Sequence, residues 1–352
     1  METTDIIKTQ TSNEEKYPNN DMEIQVQIQS LPRAKYWVGD DLYKFQGFWI
    51  PTVAIPGIIK FQTQFKARDS DLLVTSFPKC GTTWLKSLVF MISNRSIYSI
   101  SDNPLTKLNP HDIVPSLEYN VYRFKPYQDL EILPNPRIFS THTPHPLLPS
   151  SIINSKSKIV YMSRNLLDQF VSRWHFKGRL KVQGASTSIS EAFEMFHSGV
   201  DGFGPSWEHV LSYWKASLEN PNKVLFLKYE EVKENPTFYV KELGDFLGYP
   251  FSEKEVKLGM IEEIAKFCSF ENMKNLEVNK SGKRAIAHSF ENNAYFRKGE
   301  VGDWANYFSP SMAKRAIKLM DDKFSGSGLS FKVSSHVQSD KKCNDLEAHE
   351  DM

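Results

Sequence analysis

Within the run Ser76-Phe77-Pro78-Lys79-Cys80-Gly81-Thr82-Thr83-Trp84 stand a lysine, a glycine and two adjacent threonines. These residue types in this order are suited to holding an anion. Lys79 brings a full positive charge, Thr82 and Thr83 bring directional hydroxyl donors, and Gly81 lets the backbone turn tightly. The preceding Leu72-Leu73-Val74-Thr75-Ser76-Phe77 is apolar and β-branched and predicts a buried strand. After the turn, Trp84, Leu85, Leu88, Val89 and Ile92 recur at helical spacing, so a helix opens near Thr82 or Thr83. The first N–H groups of that helix lack intrahelical partners, and its dipole favours negative charge. A strand, a glycine turn and a helix start together predict a site for phosphate or sulfate. The nucleotide-triphosphate loop G-x-x-x-x-G-K-[ST] places its lysine after the glycines. Here Lys79 precedes the only glycine, the loop is shorter, and Trp84 follows at once.

Further chemistry-bearing residues lie downstream. Arg164 follows the strand-like run Lys158–Ser163, and Ser172 lies one or two turns into the helix beyond it. The guanidinium fork suits a phosphate, although an arginine in that place serves equally as an ion-pair partner. Near the C-terminus, Tyr295-Phe296-Arg297-Lys298-Gly299-Glu300-Val301-Gly302-Asp303-Trp304 sets two cations before a glycine, as a mobile loop closing over a phosphate would. Two histidines, His142 and His145, follow the run Arg137–Thr141. An imidazole titrates near neutral pH and suits a general base, but the residues alone do not choose between these two. His175, on the predicted helix Asp168–Phe176, reads as a helix-face residue.

The elements that must position these groups alternate along the chain. Strand-like runs at 72–77, 137–141, 158–163 and 224–229 are separated by helical patterns, among them 168–176, 207–218 and 236–247. Strands divided by helices predict βαβ units, hence an α/β fold with a central parallel sheet flanked by helices. In such sheets ligands bind beyond the carboxyl ends of the strands, where Lys79, His142 and Arg164 all fall. The expected organisation is a disordered segment over 1–28, one domain over 29–332, and a disordered polar tail over 333–352 that holds His336, Cys343 and His349. At 352 residues the chain is long enough for a sizeable core. The formal charge of +1 gives no global attraction to nucleic acid or membrane, so an anion site must be local. Three cysteines without metal-ligand spacing argue against a disulfide framework or a metal site, and for a reducing compartment. No apolar run has the form of a signal peptide or a membrane span. A cytoplasmic enzyme with no metal is the expectation.

The order Pro-Lys-x-Gly-Thr-Thr-Trp resembles the 5′-phosphosulfate loop of the cytosolic sulfotransferases, and the other segments agree with that family. Ser163-Arg164-Asn165 through Ser172 and His175-Phe176 is similar to R-[ND]-P-K-D-x-x-x-S-x-x-H-F, departing at Leu166 and Leu167. Arg297 to Trp304 matches R-K-G-x-x-G-D-W, and Thr141-His142-Thr143-Pro144 onward matches T-H-x-P-x-x-x-L-P. The stretches Phe45–Trp49 and Asn109–Asp112 resemble plant members. The resemblance, spanning about 70–310, implies a P-loop-like fold and 3′-phosphoadenosine 5′-phosphosulfate (PAPS) as co-substrate. It implies that Lys79, Cys80, Gly81, Thr82 and Thr83 hold the 5′-phosphosulfate, with Lys79 also catalytic. Arg164, Ser172, Arg297, Lys298 and Gly299 would hold the 3′-phosphate. Trp84, Tyr229, Cys268, Ser269, Phe270 and Met273 would line the adenine pocket, and His142 would be the catalytic base.

The acceptor implied is a small hydroxylated molecule, in plants a flavonoid, steroid, hydroxyjasmonate or desulfoglucosinolate. Phe176, Tyr119 and Trp49 are the expected wall residues, and Ser116 stands where many relatives have an aromatic. Two other readings compete: a nucleotide kinase built on a similar loop, and a nucleotide-binding protein without chemistry. Animal relatives often dimerise through K-x-x-x-T-V-x-x-x-E. The aligned Ala305, Ser309, Pro310 and Lys314 lack its key residues, so a monomer is expected.

Overall fold

The computed structural model describes residues 19–37, 41–123, 130–179, 188–285 and 289–333. Four strands form the central sheet: β1 (Leu72–Ser76), β2 (Ile138–Thr141), β3 (Lys158–Ser163) and β4 (Val224–Lys228). All pairings are parallel and the order is β2-β1-β3-β4. Leu73 is in register with Phe139 on one side and Ile159 on the other. The chain leaves β1 towards β2 and then returns to β3 on its opposite side. A crevice therefore opens beyond the carboxyl ends of β1 and β3, the switch point at which such sheets take ligands.

β1 is buried at every position, as expected of a strand covered on both faces. Its side chains alternate between two cores. Leu72 and Val74 join Val160 and Met162 in packing on helices α1 (Thr82–Asn94), α5 (Pro236–Leu247) and α6 (Met260–Phe267). Leu73 joins Phe139, Ile159 and Tyr161 on the other face, against Tyr213 and Ala216 of α3 (Ser206–Glu219). Helix α2 (Leu166–Gly178) follows β3 and buries Leu166, Leu167, Phe170 and Val171 against Met312, Ala316 and Leu319 of α8 (Pro310–Phe324). The helices α4 (Tyr229–Glu234) and α7 (Phe270–Asn275) complete the wall over the crevice.

One expectation needs correcting. The segment 19–29, read from sequence as part of a disordered terminus, is a helix whose Ile24 and Ile28 are buried in a cluster with Phe48, Ile55 and Ile58. These isoleucines stand one turn apart, and their burial, with an ion pair of 2.7 Å between Asp21 and Lys60, ties the helix to the domain. Residues 1–18 and the tail after 333, with His336, Cys343 and His349, lie outside the described residues. Among the described residues, no helix is long and apolar enough to cross a membrane.

Candidate active site

The crevice holds a cavity of about 450 Å³. At its floor the turn after β1 is made by two residues in the left-handed region, Lys79 with φ 72° and Gly81 with φ 99°. Gly81 is required twice over. It takes the positive φ, and a Cβ there would sit 2.7 Å from Met162 Sδ and 2.8 Å from Tyr229 Cδ2. For a lysine the same conformation is strained, and the surroundings enforce it. Gln169 Nε2 of α2 donates to Pro78 O at 2.9 Å, while the Ser76 and Thr82 hydroxyls meet at 2.6 Å. Gly81 gives α1 no side-chain cap, so its first N–H groups face the cavity's contents.

Lys79 Nζ lies 4.0 Å from the centroid of Phe176. Burial, then Arg297 and Arg164, lower its pKa to about 7. The cavity thus concentrates positive charge until an anion enters. Eight lysines and arginines line it, and no Asp or Glu does among the described residues.

Arg164, at the end of β3, is buried with its Cζ 4.6 Å from the Tyr229 ring. Its Nη2 donates to Glu300 O, and its Nε is buried without a partner. The Arg297–Gly299 segment is pinned rather than loose. Asp303 accepts from Arg297 Nη1 and from Lys298 Nζ at 2.7 Å, and Tyr229 Oη donates to Gly299 O at 3.1 Å. Burial raises the Asp303 pKa, but Lys298 and Arg297 outweigh it and hold the carboxyl at about 2. Asp168 of α2 clasps the same segment from below, accepting from Gly302 N at 2.8 Å and Trp304 N at 3.0 Å. Gly299 has φ 66°, and a Cβ there would meet the Phe270 ring at 2.6 Å.

His142 stands at the end of β2. Its Nδ1 donates to Ser76 O at 2.8 Å, because a carbonyl can only accept. Nε2 is therefore the nitrogen with the lone pair. Burial lowers its pKa, and although the Ser76 hydrogen bond opposes this, Lys86, Arg173 and Lys79 add to it and the value falls to about 4. The ring is neutral at physiological pH. Its backbone is fixed from two sides: His142 N donates to Glu118 Oε1 at 2.8 Å, and His142 O accepts from His209 Nε2 at 2.9 Å. His209 in turn accepts from Tyr161 Oη at 3.0 Å.

Of the residues singled out in the sequence, Lys79, Gly81, Thr82, Thr83, Trp84, His142, Arg164, Ser172, Tyr229, Cys268, Ser269, Phe270, Met273, Arg297, Lys298 and Gly299 all line this one cavity. Cys80 does not. Its side chain is buried with Phe77 and Ile58, burial pushes its thiol up to about 12, and its N–H is spent on Phe77 O at 3.3 Å. Phe176 and Tyr119 are wall residues as expected, whereas Trp49 packs into the core cluster of α2 and α8. The part Trp49 plays is through its backbone. Phe203 N donates to Trp49 O at 2.6 Å and Trp49 N to Gly204 O at 2.7 Å. This pairing holds Phe203 at φ 71°, with its ring 5.6 Å from that of His142. His145 packs on Tyr213 and His175 on Tyr307, and neither lines the cavity.

Sequence reading missed Phe203, Arg173 and a polar chain on α1. Lys86, 2% exposed, donates Nζ to Val114 O at 2.8 Å and to His111 Nδ1 at 2.9 Å. An ammonium only donates, so His111 must donate Nε2–H to Thr83 Oγ1 at 2.9 Å, which turns the Thr83 proton towards other acceptors. Among the described residues, no group of three or more His, Cys, Asp or Glu is placed to hold a metal ion.

A family model for the sulfotransferase domain matches residues 69–328. Cytosolic sulfotransferase 15 of Arabidopsis thaliana is 45% identical over 317 residues, 89% of this chain and 88% of that protein. Cytosolic sulfotransferase 16 of the same plant is 46% identical over 307 residues, covering 86% and 90%. A crystal structure of an Arabidopsis thaliana sulphotransferase superposes with a TM-score of 0.71 at 37% identity, over 91% of this chain and 100% of that one. A mouse sulfotransferase complexed with PAP gives 0.63 at 26% identity, over 82% and 96%. With its domain and its full-length relatives in agreement, the chain belongs to the cytosolic sulfotransferase family.

Proposed function

We propose that this sulfotransferase moves a sulfuryl group from PAPS to a hydroxyl of a small molecule in one in-line displacement, with His142 as general base. The observation that carries this reading is the convergence of the anion loop, the Arg164 strand end, the Arg297–Gly299 segment and a neutral His142 on one cavity. The residues fit the nucleotide. Arg164 Nε, Arg297 Nε and Trp84 Nε1 are buried polar atoms without partners, and each lines the cavity or belongs to a residue that does. Such atoms are costly unless a ligand satisfies them. Lys79, Thr82, Thr83 and the α1 N-terminus hold the 5′ end, and Arg164, Ser172 and the Arg297–Gly299 segment hold the 3′-phosphate. Trp84 and Tyr229, with ring centroids 5.6 Å apart and nearly perpendicular, frame the adenine together with Phe270 and Met273.

When bound, the donor supplies sulfur activated by a phosphate leaving group. His142 Nε2 takes the hydroxyl proton as the acceptor oxygen bonds to sulfur and the bond from sulfur to the 5′-phosphate oxygen breaks. Lys79 and the α1 N–H groups stabilise the charge that collects on that oxygen. The relay Lys86–His111 aims the Thr83 proton at the same oxygens. No step in this scheme calls on a metal.

The test is incubation of the full chain with sulfur-labelled PAPS and a panel of hydroxylated metabolites. Label on an acceptor is expected. Bound nucleotide with no label on any acceptor would favour a silent binding protein, and ATP use with magnesium would favour a kinase. We read the enzyme as a cytosolic monomer. Ser309 is spent on capping α8, where it accepts from Met312 N at 3.3 Å, so the segment aligned with the animal dimer contact is built for another purpose. Light scattering should give a mass near 40.6 kDa, and a steady mass of double that would contradict a monomer.

Lys79 makes nucleotide binding depend on pH. Its pKa is about 7 before an anion enters, and a bound anion raises it because the ammonium is then paired. Above that value binding must take up a proton. Affinity for 3′-phosphoadenosine 5′-phosphate should be greatest below about pH 7 and fall as the pH rises through it. Calorimetry in buffers of different ionisation enthalpy should register the uptake, and Lys79→Met should abolish it. An affinity that stays flat through neutrality would contradict the assignment.

A further inference from the structure

Lys79 stands in the cavity wall without a counterion. Its Nζ lies 4.0 Å from the ring centroid of Phe176 and 5.9 Å from that of Tyr295. The cations of the 3′ end are answered from behind the wall. Asp303 pairs with Arg297 and Lys298, and Asp168 Oδ2 lies 3.5 Å from Arg164 Nη2. Among the described residues no carboxylate does the same for Lys79, and no Asp or Glu lines the cavity. The charges that reach its amine are those of Arg297, Arg164, Arg179 and Arg173. The aromatic faces attract an ammonium weakly, while burial and four guanidinium groups oppose it more strongly. Near neutral pH a large share of the molecules therefore carries Lys79 as a neutral amine, which is a nucleophile.

The same surroundings suit an anion. Gly81 leaves the start of α1 without a side-chain cap, and Thr83 has its proton turned outward by His111 Nε2 at 2.9 Å. Arg164 is 5% exposed, and its Nε is buried without a partner. A lysine whose amine became an anion would exchange an ill-matched charge for a well-matched one.

We infer that Lys79 is a site of reversible carbamate formation: while no nucleotide is bound, its amine adds to carbon dioxide and the carbamate takes the place of the phosphosulfate. The Nζ lone pair forms the N–C bond, one C=O pair moves onto oxygen, and one amine proton leaves to water. The step involves no oxidation or reduction and no reactant besides carbon dioxide. Its regulatory consequence rests on the proposed placement of PAPS in this cavity. The carbamate excludes the nucleotide, and the nucleotide, by pairing the ammonium, excludes carbon dioxide to the same degree.

The experiment places the full chain in mildly alkaline [13C]bicarbonate buffer equilibrated with its carbon dioxide. A carbamate resonance separate from bicarbonate and dissolved gas is expected in the carbon-13 spectrum. Trapping with a trialkyloxonium salt, followed by peptide mass spectrometry, should map the resulting ester to Lys79. Saturating 3′-phosphoadenosine 5′-phosphate should remove the resonance. Calorimetry should show the affinity for that nucleotide falling about twofold when half of the molecules carry the carbamate, since only the remainder is competent to bind. Nitrate at equal ionic strength controls for simple anion competition, and bicarbonate must exceed it. Lys79→Met should abolish both the resonance and the excess loss, and if that variant does not fold, the mapping on wild-type protein decides. Absence of the resonance, an ester found only on other lysines, or a nitrate effect equal to that of bicarbonate overturns the inference. Intact nucleotide binding in those cases leaves the sulfotransferase reading standing. A carbamate mapped to Lys79 with no loss of nucleotide affinity would uphold the modification and count against Lys79 as a ligand of the 5′ end.

Discussion

Replacing His142 with alanine is expected to lower turnover by about 10²–10⁴, roughly 3–5 kcal/mol of barrier, which is the usual yield of a positioned general base. Affinity for 3′-phosphoadenosine 5′-phosphate should stay near wild type. The geometry explains why the two readouts separate. His142 Nδ1 is spent on Ser76 O at 2.8 Å, so the only chemistry left to the ring is at Nε2. With its pKa held near 4, chiefly by burial, the ring is neutral and the proposed base available at neutral pH, and activity at saturating nucleotide should fall only as the solution becomes strongly acidic. His145→Ala is the internal control, because that ring packs on Tyr213 and does not line the cavity. The His142→Ala protein should fold, since Glu118 Oε1 and His209 Nε2 both bind the His142 backbone and would survive the change. Full activity of His142→Ala towards an aliphatic alcohol, whose high pKa makes base assistance indispensable, would sink the mechanism.

What was legible in the sequence follows from how local each signal is. The anion loop is contiguous: a β-branched run, one glycine and a helical apolar repeat state the strand, turn and helix within a score of residues. The four strands and the helices over 168–176, 207–218 and 236–247 were readable for the same reason, since period-two and period-3.6 patterns are properties of neighbours. Cys80 turns away from the cavity because its side chain packs into the core with Phe77 and Ile58, and a contiguous motif does not state which of its members face the cavity. The helix over 19–29 sets Met22, Ile24, Val26 and Ile28 at every second position, a spacing that does not state a helix, and buries only Ile24 and Ile28. Arg173, Phe203, His209 and the Lys86–His111 pair were invisible because their roles exist only across elements. His209 Nε2 meets His142 O from 67 residues away, and Phe203 is set by the backbone of Trp49. Nothing in a linear pattern marks such pairings. Trp49 was found for the wrong reason, as an aromatic near the site, when its peptide group is what matters.

The second large effect belongs to Arg164. In the proposed reading the 3′ end of the nucleotide would meet a buried guanidinium whose Nε has no protein partner, together with Arg297 and Lys298, both already paired with Asp303. These partners divide the work. Asp303, with its pKa at about 2, stays ionised and fixes the Arg297 and Lys298 side chains in place, so a phosphate finds donors whose positions are set in advance. Arg164 has only the Glu300 carbonyl as a close partner for Nη2, with Asp168 Oδ2 further off at 3.5 Å, so it gains most from the incoming charge. Arg164→Ala should therefore weaken 3′-phosphoadenosine 5′-phosphate by about 2–5 kcal/mol, the cost of truncating one partner of a desolvated charge pair. The same substitution should barely change the affinity for adenosine 5′-phosphate, which lacks the 3′ group. Wild-type protein should accordingly bind the bisphosphate far more tightly than the monophosphate, and Arg164→Ala should close most of that gap. Calorimetry with both nucleotides on both proteins completes the cycle. Equal affinities in the wild type would remove the 3′-phosphate from this end of the cavity, and an equal loss for both nucleotides would show that Arg164 acts on the fold of the crevice and not on the phosphate.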